Sequence, residues 1–305
     1  MKRFSRFAKM VLAGSAVICG LDSTAFAGGA MQPIKEIFEP KGNFPTDKFV
    51  KVAVIQWAPP DAILTKSRAE ASKIKTRNRK LLAEQIREAA GKGAEIIITS
   101  EMGVIGYPDI PGLPPEDMNF RTREEMEPYT ETVPGPSSKF FAKLAQELNV
   151  TIQFGTAEVV GENFHNAAIA VSPTGEILAK HHKVSLFGPE HNYFTPGKSG
   201  TTYETPAGKF GMALCADIYN GTVLDSYLKN GVAAVALSTS WDQMNTGWGF
   251  FQSAAQQTKA YVLAANQPYF PDSGVMFPNG EAQSHIRQSI GIAYGYLPRV
   301  TLTGR

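Results

Sequence analysis

The sequence predicts an α/β fold, in which buried strands alternate with helices along most of the chain. Short runs that are apolar on both faces, such as residues 49–56 and 94–99, are typical of strands buried within a sheet. Between these two runs, Leu81, Leu82 and Ile86 recur at the spacing of one helix face. Alternation of this kind indicates a layered α/β domain.

The first 27 residues have the composition of a secretory signal peptide. Four basic residues precede the apolar run 10–21, and Ala25-Phe26-Ala27 supplies a small-x-small cleavage site. The run is shorter than the roughly 20 residues that a membrane-spanning helix needs, which disfavours an N-terminal anchor. We therefore predict an exported protein, periplasmic or extracellular, with no stable membrane insertion after cleavage.

Cleavage changes the charge balance of the chain. The full sequence has 30 basic and 28 acidic residues. Removal of residues 1–27 takes away four basic residues and one acidic residue, leaving 26 and 27. No basic stripe remains that would hold phosphates, so we predict no nucleic-acid partner.

The rest of the chain is predicted to form an extended arm, residues 28–48, and one domain, residues 49–305. The first helix ends at Gly91 and Gly93, and residues 108–136, rich in proline and acids, are expected to make a long surface excursion. Further strands are predicted near residues 150–159, 165–172, 176–186, 209–214, 232–237, 261–265, 274–277 and 290–297, and further helices near 140–148, 222–230 and 248–259.

The mature chain keeps one cysteine, Cys215. It cannot form an internal disulfide, and exported proteins that use cysteine structurally usually carry pairs, so Cys215 is either buried filler or a reactive thiol. It ends a predicted strand. Glu101 follows another strand by two residues, and Lys183 lies in a third strand region. Loops beyond the carboxyl ends of strands commonly hold the chemistry of α/β folds.

Three segments, in this order, resemble the glutamate, lysine and cysteine motifs of the nitrilase superfamily, the carbon-nitrogen hydrolases. They are SEMGVIGY at 100–107, HKVSLF at 182–187 and GKFGMALCAD at 208–217. FTPG at 194–197 and STSW at 238–241 support the resemblance, which extends from about residue 49 to the end. It implies a four-layer α-β-β-α sandwich.

The resemblance also implies roles for five residues. A thiol with a pKa near 8.5 is only a few per cent thiolate at neutral pH and needs a base or a nearby cation. Glu101 would take the thiol proton, give it to the departing amine and then activate water. Lys183 would hold Cys215 in its reactive form and, with the backbone N–H of Ala216, stabilise the oxyanion. Glu190 would orient Lys183; a plain structural ion pair is the alternative.

The resemblance implies neither a metal nor a cofactor. The expected partners are a small-molecule amide and water, and a homo-oligomer is left open. The segments 183–190, 205–217 and 241–266 look most like the secreted vanin and biotinidase branch. Tyr219-Asn220-Gly221 stands where the family often has Phe-Pro-Glu, and residues 254–258 replace its Arg-Ala-x-Glu-Asn, which bears on substrate choice and subunit contacts.

The predicted function is therefore an exported amidase that hydrolyses a non-peptide C–N bond through a Cys215 thioester. A nitrilase or a carbamoyl-amide hydrolase using the same site, and a non-catalytic solute-binding protein, are the alternatives. A papain-like protease is disfavoured because its cysteine begins a helix. A metal site is disfavoured because adjacent His181 and His182 point apart in a strand and no His-Glu-x-x-His occurs.

Overall fold

The computed structural model describes residues 35–60, 64–107, 120–241, 247–267, 272–287 and 290–300. All of them belong to one compact unit, residues 34–305. The predicted signal peptide lies outside the described residues. The described helices are α1 (Arg68–Gly91), α2 (Arg123–Met126), α3 (Pro136–Leu148), α4 (Gly221–Lys229) and α5 (Gly247–Thr258). No helix in this described part has the length and apolarity needed to cross a bilayer.

The described strands form two sheets. They are β1 (Lys35–Phe38), β2 (Phe49–Gln56), β3 (Ile96–Thr99), β4 (Thr151–Val160), β5 (Asn163–Val171), β6 (Ile177–His182), β7 (Thr201–Thr205), β8 (Gly208–Leu214), β9 (Ala234–Ser238), β10 (Tyr261–Ala265), β11 (Ser273–Met276), β12 (Ala282–Ile286) and β13 (Ile290–Pro298). One sheet has the order β1-β13-β2-β3-β4-β5-β6, and the other has the order β12-β11-β10-β9-β8-β7.

The alternation of side chains along the central strands creates the layers. On β2, Ala53 and Ile55 pack with the apolar faces of α1 and α3, whereas Val52 and Val54 pack between the two sheets. On β9 of the other sheet, Val235 and Leu237 pack with α4 and α5, and Ala234 and Ala236 face the first sheet. Because successive side chains point to opposite faces, each strand serves two cores. The four-layer α-β-β-α sandwich is confirmed.

Three strands lie where none was predicted: β1 within the arm, β7 and β12. Each lies at the edge of its sheet, and each mixes polar with apolar residues. Edge strands face solvent and therefore lack the continuous apolar run that identifies a central strand. The strand predicted for residues 176–186 is also shorter than expected, because β6 ends at His182.

The second half of the predicted surface excursion is only partly on the surface. Residues 108–119 lie outside the described residues. Of the rest, residues 121–124 are exposed, whereas Phe120, Met126 and Tyr129 are buried. Glu131 is also buried, in an ion pair with Lys75 of α1. Its burial was not predicted because that partner is distant in the chain.

Candidate active site

Three strand ends meet at one end of the sandwich. Glu101 follows β3 by two residues, Lys183 follows β6 directly and Cys215 follows β8 directly. β3 and β6 belong to the seven-stranded sheet, whereas β8 belongs to the six-stranded sheet. The site is therefore built from strand ends of both sheets.

Glu101 is buried, and both oxygens of its carboxylate accept hydrogen bonds. Its Oε1 accepts hydrogen bonds from Lys183 Nζ at 2.9 Å and from Asn166 Nδ2 at 2.8 Å. Its Oε2 accepts from the backbone N–H of Ser240 at 2.9 Å. The side chain of Gln267 also donates to the Glu101 carbonyl at 2.6 Å, which holds the backbone at this point.

Lys183 bridges two carboxylates. Its Nζ lies 2.9 Å from Glu101 Oε1 and 2.7 Å from Glu190 Oε2, and the three side chains are each at most 3% exposed. The backbone N–H of Phe187 also donates to Glu190 Oε2, at 2.8 Å. This contact is the geometry that an orienting role for Glu190 requires, and the role itself stays a prediction.

Cys215 begins a short 3-10 turn, Cys215–Tyr219, and has a φ of 42°. This left-handed conformation is uncommon for a residue other than glycine, and such strain is concentrated at functional sites. The residue remains partly exposed. Ala216 lies in the first turn, where backbone N–H groups have no partner within the helix, as an oxyanion donor requires.

The charges of the site act on one another. Burial raises the pKa of Glu101, and the nearby Glu190 carboxylate raises it further, although Lys183 opposes both. Burial works against the Lys183 ammonium, yet Cys215, Glu101 and Glu190 together keep the pKa of Lys183 well above its usual value. A protonated lysine between two acids is thus the stable arrangement.

Burial also raises the pKa of Cys215, to about 12, although the charge of Lys183 lowers it. The role of Lys183 in holding Cys215 in its reactive form stays a prediction. The carboxylates of Glu101 and Glu190 beside the ammonium raise the pKa of the thiol further. A raised thiol pKa increases the need for a base such as Glu101.

Residues 51–302 match the carbon-nitrogen hydrolase family. The chain belongs to this family. A nitrilase of Pyrococcus abyssi is 31% identical over 170 residues, which are 55% of this chain and 56% of that protein. The omega-amidase NIT2 of Xenopus tropicalis is 28% identical over 214 residues, 64% of this chain and 70% of that protein. The chain thus spans little more than half of the Pyrococcus relative.

Solved structures of the superfamily share the fold of this carbon-nitrogen hydrolase. An amidase from Nesterenkonia sp. superposes with a TM-score of 0.66 at 18% identity, covering 87% of this chain and 96% of that one. Saccharomyces cerevisiae Nit3 superposes with a TM-score of 0.67 at 18% identity, covering 85% and 96%. At this level of identity the likeness concerns the fold alone.

Asp217 joins the strand ends and was not predicted to have a role. Its Oδ1 accepts from the backbone N–H groups of Val184 and Ser185 at 3.0 and 2.8 Å. Its Oδ2 lies 2.9 Å from His181 Nε2 and accepts from the backbone N–H of Leu214 at 3.2 Å. Asp217 therefore ties the segment after Lys183 to the strand that ends at Cys215. In the sequence, only its position two residues after Cys215 could have suggested this role.

Asn166 was also missed. It begins the run 166–171 of β5, whose other members are apolar, and its Nδ2 donates to both Glu101 and Glu190 at 2.8 Å. A polar residue at a buried position needs a partner, and that rule was the available signal. The partners could not be named because Glu101 lies 65 residues away along the chain.

The two adjacent histidines do point apart, as predicted. His181 is buried against Asp217, whereas the ring of His182 stacks on that of His165 at 3.9 Å and binds Glu158 at 2.6 Å. His181 is therefore not a surface residue, and its ring helps to hold the Asp217 carboxylate. In the described residues no group of three His, Cys, Asp or Glu side chains has the arrangement of a metal site.

The family departure at Tyr219-Asn220-Gly221 has a local structural role. Asn220 begins α4, where its Oδ1 accepts from the backbone N–H groups of Thr222 and Val223. Its Nδ2 donates to Ser185 Oγ at 2.8 Å. Asparagine is among the best residues at a helix N-cap, so the substitution supplies a cap and a further link to the segment after Lys183.

Proposed function

We propose that this protein is an amidase that hydrolyses a non-peptide C–N bond through a thioester on Cys215. The observation that carries the proposal is the buried contact of Glu101 with Lys183 at 2.9 Å, in a site whose charges act on the Cys215 thiol. A carboxylate able to hold a proton, a cation and a thiol are the groups that covalent amide hydrolysis needs. Matches to an omega-amidase and a nitrilase support this class of reaction.

The geometry supports the following acylation step. The Glu101 carboxylate takes the thiol proton as Cys215 Sγ attacks the amide carbon, and the carbonyl oxygen becomes an oxyanion. An ammonium has three N–H donors, and the contacts of Lys183 with Glu101 and Glu190 use two. The third, with the backbone N–H of Ala216, is available to the oxyanion. Glu101 then gives its proton to the amine nitrogen, the C–N bond breaks and a thioester remains.

Deacylation uses the same carboxylate. Glu101 removes a proton from water, whose oxygen attacks the thioester carbon. The C–S bond breaks, the carboxylic acid leaves, and Glu101 returns its proton to the Cys215 sulfur. The buried position of Glu101 suits both steps, because burial raises the pKa of its carboxyl and so makes the carboxylate a stronger base than that of an ordinary glutamate. In a glutamate-to-glutamine mutant of an amidase from Nesterenkonia sp. AN1, which has the same fold, the acetamide moiety of fluoroacetamide adds covalently to the active-site cysteine.

A substrate screen with a mass readout tests the proposal. The purified protein is assayed for ammonia or amine release from simple amides, ureas, pantetheine and biotinyl amides. Intact mass is then used to find an acyl adduct. We expect turnover of an amide and an adduct on the wild type, with both absent in Cys215→Ala. Equal turnover by Cys215→Ala would contradict the proposal. Slow alkylation of Cys215 by iodoacetamide in the wild type, without turnover of any compound, would favour a binding protein.

A nitrile is the second candidate substrate, favoured by the match to the Pyrococcus nitrilase. Including nitriles in the same screen separates an amidase from a nitrilase, because a nitrilase releases ammonia and a carboxylic acid from them.

We also propose that the enzyme is exported, on the basis of the basic start and apolar run before Ala27. N-terminal sequencing of protein recovered outside the cytoplasm is expected to begin at Gly28. Protein found only in the cytoplasm and beginning at Met1 would contradict export.

A further inference from the structure

We propose that Asn166 is a positioning residue of this reaction, which holds Glu101 and Glu190 as a pair and keeps Glu101 able to accept the thiol proton. The inference rests on the proposed role of Glu101 as base. Asn166 is 1% exposed. Its Nδ2 lies 2.8 Å from Glu101 Oε1 and 2.8 Å from Glu190 Oε1. An amide nitrogen carries two hydrogens, so one is directed to each carboxylate.

The charge of the site explains why these two donors matter. Two carboxylates share one ammonium, that of Lys183, in a region almost closed to water. Like charges in one buried site favour protonation of one of them, and a protonated Glu101 is no base. Hydrogen bonds to an ionised carboxylate favour the ionised form. Asn166 supplies one to each acid without adding a second cation, which would instead fix both acids as permanent anions.

The amide oxygen of Asn166 indicates that the residue serves as a hydrogen-bond donor at this position. Its Oδ1 is buried and has no hydrogen-bond partner among the residues that the structure describes. A buried acceptor without a partner is costly, so packing alone would favour an apolar residue of the same shape. Turning the amide over would place Oδ1 against the carboxylate oxygens of Glu101 and Glu190, which repel it. The observed orientation is the one in which both acids receive a donor.

Asn166 also holds the lysine segment through its backbone. Its carbonyl oxygen accepts a hydrogen bond from the backbone N–H of Lys183 at 2.9 Å. One residue of β5 therefore contacts both acids with its side chain and the start of the lysine segment with its main chain. A side-chain substitution removes the two donors and leaves this backbone contact in place. The effects of the donors can thus be measured separately.

The test compares Asn166→Leu, which has a similar shape and no donor, with the wild type. The readout is the rate of Cys215 alkylation by iodoacetamide as a function of pH, followed by intact mass. We expect the acid limb of this profile, where Glu101 becomes protonated, to move up by about one pH unit in the variant. With an amide substrate, kcat should fall more than KM changes. An unmoved acid limb would overturn the inference.

Gln153→Leu is the matched control. Gln153 lies buried on the neighbouring strand β4 and donates to Ala236 O at 3.0 Å and Ser238 Oγ at 3.1 Å. Its Oε1 also accepts a hydrogen bond from the Tyr203 hydroxyl at 3.5 Å. The replacement removes these three buried hydrogen bonds outside the carboxylate pair, so we expect lower stability and an acid limb at the wild-type pH. An equal shift of the limb in both variants would mean that Asn166 acts only through general packing, and would overturn the proposal.

Asn166→Asp covers the case in which the leucine variant does not fold. It keeps the shape and polarity of asparagine but places a third acid beside Glu101 and Glu190, which raises the acid limb further. A wild-type limb in this variant would also overturn the inference. Because alkylation needs no substrate, failure of the amide screen leaves this test intact. A wild-type protein whose alkylation shows no acid limb would instead contradict the role of Glu101 itself.

Discussion

Two buried ion clusters of this protein have opposite charge ratios. In the site cluster, one cation, Lys183, lies between the carboxylates of Glu101 and Glu190. In the second cluster, one carboxylate, Glu131, lies 3.0 Å from Lys75 Nζ and 3.2 Å from an Arg79 nitrogen. Both clusters are almost closed to water. They therefore differ mainly in how many acids share the available positive charge.

The ratio decides the direction of each pKa shift. Burial and the second acid raise the pKa of Glu101. Burial acts in the same direction on Glu131, but Lys75 and a backbone hydrogen bond from Ser137 outweigh it and lower the pKa of Glu131. A carboxylate with two cations stays ionised and contributes to structure. One that shares a cation with a second acid can take up and release a proton, which is what a base must do.

The largest expected effect comes from removing the proton-carrying carboxylate. Glu101→Gln should lower kcat by about 10²- to 10⁴-fold, because the thiol and the leaving amine lose their proton carrier. Steady-state kinetics and a thermal melt measure the two properties, and the melt should stay close to that of the wild type. If Glu101→Gln kept the wild-type kcat, the acid-rich cluster would have no role in catalysis that the cation-rich cluster lacks.

The corresponding change in the second cluster should act on stability. Glu131→Gln leaves Lys75 and Arg79 buried without a counter-charge, and breaking a buried pair in this way costs about 3–5 kcal/mol. Urea unfolding measures the loss, and kcat of the folded fraction should be unchanged. Wild-type stability in this variant would show that the cation-rich cluster does not hold the fold together.

Replacement of each cluster's lysine by arginine should give the next largest difference between the clusters. Lys183→Arg is expected to lower kcat by about 10²-fold, the effect of losing one oxyanion donor, because a planar guanidinium does not replace a compact ammonium. Lys75→Arg should change kcat little, since its partner needs only a charge and a donor. Equal loss of kcat in both variants would indicate a general packing effect.

The smallest effect concerns pH. Because the pKa of Glu101 is raised, kcat/KM should fall with decreasing pH at a value above the ordinary glutamate pKa of about 4.3. The pKa of Glu131 is lowered, so its stabilisation is present above about pH 4.3 and is lost as pH falls through its lower folded value. Activity should therefore be lost at a higher pH than stability. Coincident acid limbs of kcat/KM and of urea unfolding would contradict this order.

The central strands and the three reactive side chains were predictable because their signals are local. Strand β3 is apolar at three of its four positions, and Glu101 follows it within two residues. The edge strands β1, β7 and β12 were missed because solvent on an open side removes that signal. The burial of Glu131 was missed for a related reason, since its ion-pair partner Lys75 lies in α1, distant in the chain.

Sequence alone determined the order of strands and helices and the chemical groups at three strand ends. Tertiary structure decided which of those groups touch: that Lys183 is shared by two acids, that Asn166 donates to both, and that Asp217 ties the lysine segment to the cysteine strand. Apolar periodicity is read over neighbouring residues, whereas a charge ratio is a property of side chains brought together from distant parts of the chain. The pKa of the thiol depends on its burial and on these charges, so only the folded protein defines it.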